Sequence, residues 1–271
     1  MGNTRIRIYG DKGPPVMVLH GGPGAPGSAA PVAAGLAGDF RVFEPYQRAG
    51  AETPLSVAVH IFDLHGVISA RCGGQRPALV GESWGAMLAL AYAAQYPETV
   101  GPLVLIGCGT FDTACREEMI RIRKRRISDY IKNHPEHSPD LYLPFQEQIM
   151  KWHEMTDNFH CEADANDNLE AEPFDMRAHT ETWNDMIRCQ EKGIYPQTFT
   201  NINLPVIMLH GSYDPHPGKM IRDQLKLYIP QLEYHEFEKC GHSPSKEIYA
   251  KDDFFQVMRS WLREALGKLH A

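Results

Sequence analysis

At 271 residues the chain is long enough to bury one large core, or a core carrying an inserted subdomain. Hydrophobic residues make up 43% and charged residues 23%, and no apolar run approaches the roughly 18 residues of a membrane span, which points to a soluble globular protein. Twenty-seven basic against 34 acidic residues leave a net charge of −7, a balance that argues against a nucleic-acid partner.

Apolar runs of strand length lie at Ile6-Tyr9, Val16-Leu19, Arg41-Phe43, Ala78-Val80, Leu103-Ile106, Val206-Leu209 and Leu232-Phe237. Several are continuous rather than alternating, as strands buried on both faces require. Between them, Ser56-Ala70, Ala86-Tyr96, Lys219-Tyr228 and Asp252-Leu266 have helical character; in the last, Phe254, Val257, Met258, Trp261, Leu262 and Leu266 form one apolar stripe. Strand alternating with helix predicts an α/β protein with a mostly parallel central sheet flanked by helices.

The alternation stops between about Thr110 and Thr200, where polar, helix-compatible sequence takes over. The expectation is a core from residues 1–109 and 201–271 with a helical cap inserted at 110–200. Within it, the basic run Arg121-Ile122-Arg123-Lys124-Arg125-Arg126 reads as a solvated helix face and the acidic stretch Glu162 to Asp175 as a loop. The six cysteines contain no C-x-x-C pair and are expected to be reduced thiols. The N-terminus has neither an apolar signal core nor a myristoylation motif, so the expected compartment is the cytoplasm.

The chemistry concentrates at strand ends. Gly81-Glu82-Ser83-Trp84-Gly85 follows one predicted strand and precedes a helix, the context in which G-x-S-x-G presents a nucleophilic serine on a tight turn. A serine in that role needs oxyanion donors. The N–H of Trp84 is one candidate, and that of Gly22 in His20-Gly21-Gly22-Pro23-Gly24, directly after an earlier strand, is the second. It also needs a base and an acid to orient the base. Of 13 histidines, His242 is preferred because it sits in a loop between the last predicted strand and the last helix; Asp214 follows the strand before that. Cys240, His242, His210 and His216 fit no zinc spacing, and no metal or other cofactor is expected.

Serine, aspartate and histidine in this order, each at the end of a successive strand, make the chain similar to the α/β-hydrolase superfamily over Ile6-Ile106 and Leu204-Leu266. His20-Gly21-Gly22-Pro23-Gly24 together with Gly81-Glu82-Ser83-Trp84-Gly85 resembles the proline iminopeptidase branch. The resemblance implies metal-free removal of N-terminal residues from small peptides. Where that family carries D-Q-R-G-x-G-x-S, this chain has Tyr46-Gln47-Arg48-Ala49-Gly50-Ala51-Glu52-Thr53, retaining only the Gln-Arg pair. Some members place a glutamate after the triad aspartate, where Pro215 stands here; Glu147, Glu154 or Glu181 of the cap could hold the substrate amine instead. The short N-terminus implies that part of the usual leading hairpin is missing, and Trp152 and Trp183 are pocket candidates.

Three readings stay open at this point: a peptidase or amidase, a carboxylesterase without peptidase activity, and a non-catalytic binder on a hydrolase fold. The expected partner is a small-molecule or short-peptide substrate, with no nucleic acid and no membrane. Oligomeric state has no signature in the sequence.

Overall fold

Seven strands hydrogen-bond into one sheet in the order β1-β3-β2-β4-β5-β6-β7: β1 (Ile6–Tyr9), β2 (Pro15–Leu19), β3 (Arg41–Pro45), β4 (Ala78–Glu82), β5 (Leu103–Ile106), β6 (Val206–Gly211) and β7 (Glu233–Phe237). The computed structural model describes residues 5–49, 54–133, 157–161 and 172–269. All neighbouring strands run parallel except β1, which pairs antiparallel with β3 at one edge.

The continuous apolar runs have a direct cause in the layering. On β2, Met17 and Leu19 face one apolar cluster while Val16 and Val18 face another; on β5, Leu103 and Leu105 face the first and Val104 and Ile106 the second. Since successive side chains point to opposite faces, a strand covered on both must be apolar at every position. The first face is covered by α2 (Val57–Arg71) and α3 (Trp84–Gln95), the second by α1 (Ala30–Leu36) and the C-terminal helix (Lys251–Leu269). Ser56 begins α2 by accepting the N–H of Val59 on its hydroxyl, which satisfies one of the free donors of the first turn.

The segment between β5 and β6 contains α4 (Thr113–Asn133) and α5 (Met176–Glu191) among the described residues. Among its described residues, Cys115, Met186 and Phe199 join the apolar cluster on the α2–α3 face of the sheet. The short helix after β6 is α6 (Gly218–Lys226), and the C-terminal helix is α7. No helix among the described residues is long and apolar enough to cross a membrane, and all six cysteines are free of disulfides.

The junction of β4 and α3 is the tightest point of the sheet. Ser83, alone between the two elements, has φ 53° and ψ −114°, a left-handed backbone that costs a non-glycine residue of order 1–3 kcal/mol. Its N–H donates to Ile106 O at 2.8 Å, which keeps the turn registered on β5. The flanking glycines are forced by proximity: a Cβ on Gly81 would lie 2.2 Å from Gly85 O, and one on Gly85 would lie 2.1 Å from Leu19 O. Backbone atoms cannot move aside as a flexible side chain would. Gly85→Ala should therefore destabilise the fold by at least about 2 kcal/mol in urea denaturation; a loss below about 0.5 kcal/mol would contradict this packing.

Candidate active site

Strand order delivers the candidate residues to one edge. The ends of β2, β4, β6 and β7 open on a cavity of about 590 Å³. Ser83, His242, Gly22 and Trp84 all line it, and Asp214 lies directly behind His242. All five residues selected from the sequence are thus brought together.

Asp214 follows β6, with its side chain fully buried. Its Oδ2 accepts Nδ1–H of His242 at 2.8 Å. Its Oδ1 accepts both the main-chain N–H of His216 at 2.9 Å and the Nδ1–H of His216 at 2.8 Å. Burial would push the carboxyl up, but His242, His216 and His210 outweigh it and hold Asp214 well below the ordinary carboxylate range. For His242, burial pulls downward and is overcome by the charge and hydrogen bond of Asp214, so the imidazole sits above its ordinary 6.5.

The loop Gly21-Gly22 lies hard against the serine: a Cβ on Gly21 would sit 3.3 Å from Ser83 Cβ. Gly22 has φ 110°, a conformation for which glycine is suited. His20 locks this loop. Its Nδ1 donates to Gly21 O at 2.9 Å and its Nε2 accepts the N–H of Gln47 at 3.0 Å, while burial lowers its pKa to about 4 and keeps the ring neutral. Gln47 also donates to His20 O at 2.9 Å and accepts the indole N–H of Trp84 at 2.7 Å. Thus the Gln-Arg pair has structural work: Gln47 joins the glycine loop to the helix after Ser83, and Arg48 makes a two-pronged pair with Asp63 on α2.

Several neighbours of the cavity have no signature in the sequence. Glu82, the variable residue of the pentapeptide, lines the cavity; burial raises its carboxyl to about 7, against the opposing pull of Lys246 and His242. The basic run is not simply a solvated face: Arg123 forks onto Asp157 with its side chain 15% exposed, and Arg126 donates to Tyr213 O and covers the Tyr213 ring. Of the pocket aromatics, Trp183 lines the cavity and Trp152 lies outside the described residues. Of the proposed amine-binding acids, Glu181 is committed elsewhere, pairing with Arg177 and accepting Leu55 N–H at 2.8 Å. Glu147 and Glu154 lie outside the described residues.

Glu247 anchors the His242 loop. Fully buried, it accepts three main-chain N–H groups, from Gly241 at 2.7 Å, Phe159 at 2.7 Å and His160 at 2.6 Å. His242 N–H donates to Asp157 O at 2.9 Å, and Ser243 N–H to Asn158 Oδ1 at 3.1 Å, so residues 157–161 of the insertion are bonded to the loop along its length. Among the described residues, the donor atoms of Asp214, His216 and His242 lie within 4.8 Å of one another, close enough for a cation, but both carboxylate oxygens already accept N–H groups.

A family model described as alpha/beta hydrolase fold matches residues 14–247. The proline iminopeptidase of Lactobacillus helveticus (strain DPC 4571) is 25% identical over an alignment of 303 residues, covering 96% of this chain and 94% of that protein. A 2-hydroxy-6-oxononadienedioate/2-hydroxy-6-oxononatrienedioate hydrolase of Paraburkholderia phymatum is 26% identical over 263 residues, covering 89% of this chain and 86% of that protein. Among solved structures, a thermophilic esterase from Thermogutta terrifontis superposes with a TM-score of 0.66 at 19% identity, covering 97% of this chain and 93% of that one.

Two outcomes test the electrostatics and the anchoring. His242 should titrate above 6.5 by NMR, and Asp214→Asn should bring it down. Correspondingly, the stability due to His242 is present below 6.5 and lost as pH rises through its raised pKa, while that due to Asp214 is lost as pH falls through its depressed one. Glu247→Ala leaves three main-chain N–H groups without their acceptor, that of Gly241 buried, and should cost about 1–3 kcal/mol in denaturation; wild-type stability in that variant would show that the anchor carries no energy.

Proposed function

Because the chain belongs to the α/β-hydrolase fold family, we propose that it is a serine hydrolase acting through an acyl-enzyme on small ester or amide substrates. The observation that carries this reading is the 2.8 Å hydrogen bond from His242 to Asp214 beside a backbone-strained Ser83 on the same cavity.

Ser83 Oγ attacks the substrate carbonyl carbon while Nε2 of His242 takes its proton. The new negative charge on oxygen accepts the N–H groups of Gly22 and Trp84, and the imidazolium is stabilised by Asp214. Collapse breaks the bond to the leaving alcohol or amine, which departs with the proton held on His242. Water, deprotonated by the same ring, attacks the acyl-enzyme, and a second collapse releases the acid and regenerates Ser83. The raised pKa of His242 favours proton uptake during attack, and it must be neutral beforehand; kcat/KM should therefore rise with pH through an apparent pKa above 6.5.

The finer reading is proline iminopeptidase-like action on a substrate whose acyl group carries a free amine. The relatives at 25% identity support it, as does Glu82, a carboxyl facing the cavity beside Ser83. The cavity volume suits a small molecule or short peptide. Six cysteines without a disulfide suit a reducing compartment such as the cytoplasm.

Ser83→Ala should stay folded and lose turnover by roughly 10⁴-fold or more, together with labelling by a fluorophosphonate probe. A folded wild-type protein that resists the probe would sink the hydrolase reading. Proline and alanine arylamides set against short-chain aryl esters decide the substrate. Ester turnover without arylamide turnover identifies a carboxylesterase and removes the peptidase reading.

A further inference from the structure

The hydrogen-bonding capacity of Asp214 is divided in a way that a serine, a histidine and an aspartate do not require. Oδ2 receives His242, whereas Oδ1 receives both donors of His216. The His216 ring lies against that of His242, with centroids 4.6 Å apart and planes 23° from parallel. His216 thus touches the acid and the base together. Its own backbone is held from below, where Nε2 of the buried His210 donates to His216 O at 2.9 Å.

The proton arrangement follows from the acceptor. A carboxylate oxygen can only accept, so His216 carries its proton on Nδ1. Burial, outweighing Asp214, lowers the His216 pKa to about 4, so the ring is neutral when His242 titrates. A neutral donor draws charge from the carboxylate without adding a second cation beside His242.

Resting on the serine hydrolase reading above, we propose that His216 is a positioning residue for the base: its Nδ1–H holds Asp214 with Oδ2 toward His242, and its ring fixes the plane of the His242 imidazole. The same hydrogen bond limits the basicity of His242, because a carboxylate satisfied on both oxygens is a weaker partner for an imidazolium. The other charged and titratable groups acting on the pair are Asp157, Arg123 and Arg126 from the insertion, Glu82 from the serine turn, His210 on β6, and Cys108, Tyr234 and Cys240 around Asp214. Substitution of His216 leaves all of them in place.

Two variants separate donor from ring. His216→Phe keeps a flat ring against His242 and removes the donor; His216→Asn places an amide N–H where Nδ1 stood and removes most of the ring. With an aryl ester substrate, folded His216→Phe should lose roughly ten- to a hundredfold in kcat at nearly unchanged KM. Its acid limb of kcat/KM should move upward by about half a pH unit or more. His216→Asn should restore the limb and part of kcat, the remaining loss measuring the contribution of the ring. An unmoved limb with wild-type kcat in folded His216→Phe overturns the proposal, as does a folded His216→Asn that performs no better than His216→Phe. Should His216→Phe not fold, nitrogen-15 NMR of the wild-type rings decides: the Nδ1–H tautomer is expected for His216 from about pH 5 to about pH 8, and the commoner Nε2–H tautomer overturns it. Failure of the underlying reading looks different, as a wild-type protein inert to ester, arylamide and fluorophosphonate whose His216 tautomer can still be read.

Discussion

One buried negative charge organises this molecule. The Asp214 side chain has no exposure to solvent, and a carboxylate in that position carries a desolvation cost of several kcal/mol unless donors surround it. Two histidine donors come from separate stretches, His216 in the loop after β6 and His242 after β7, and His210 on β6 brings its Nε2 within 3.4 Å of Oδ2. They can converge only if β6 and β7 are adjacent, parallel and level at their ends, which the pairing from Ile207↔Glu233 to Gly211↔Phe237 provides. Main-chain bonds then staple the two loops, Ser212 N–H to Phe237 O at 2.9 Å and Tyr213 N–H to Cys240 O at 2.8 Å.

The second constraint is closeness of backbones around Ser83. The serine turn, the end of β2 and the glycine loop approach within distances that leave no room for a Cβ at Gly81 or Gly85. Two results follow from the same crowding. Ser83 stands at the start of α3, where the free N–H groups of the first turn favour negative charge. The chain of bonds from His20 through Gln47 to Trp84 then ties together the two segments that carry the candidate oxyanion donors.

The insertion between β5 and β6 is bonded to the site it covers. Glu247 ties Phe159 and His160 to the loop of His242, and Arg126 grips Tyr213, the neighbour of Asp214. The walls of the cavity and the acid–base pair are therefore parts of one hydrogen-bonded unit. Displacing residues 157–161 would disturb the orientation of His242 as well as the shape of the cavity.

How much of this could be read beforehand depends on the range of each interaction. Local pattern determined the strands, because burial on both faces leaves its mark residue by residue in Val16-Leu19 or Val206-Leu209. It also determined the serine turn, because Gly81 and Gly85 record a steric demand within five residues, and it singled out Asp214 and His242 through their places at strand ends. The partners of those residues were decided only by tertiary structure. His216 stands two positions from Asp214, yet nothing local says that its ring would stack on a histidine 26 residues further on. Glu82, a charged residue between Gly81 and Ser83, became a cavity wall through the turn of the chain around Ser83. Arg123 reads locally as part of a solvated helix face, and the sequence says nothing of Glu247, because their partners Asp157, Phe159 and His160 come from across the fold. Periodicity reports which way a side chain faces; which charge meets it there is settled by segments far away in the chain, and only the folded molecule brings them into range.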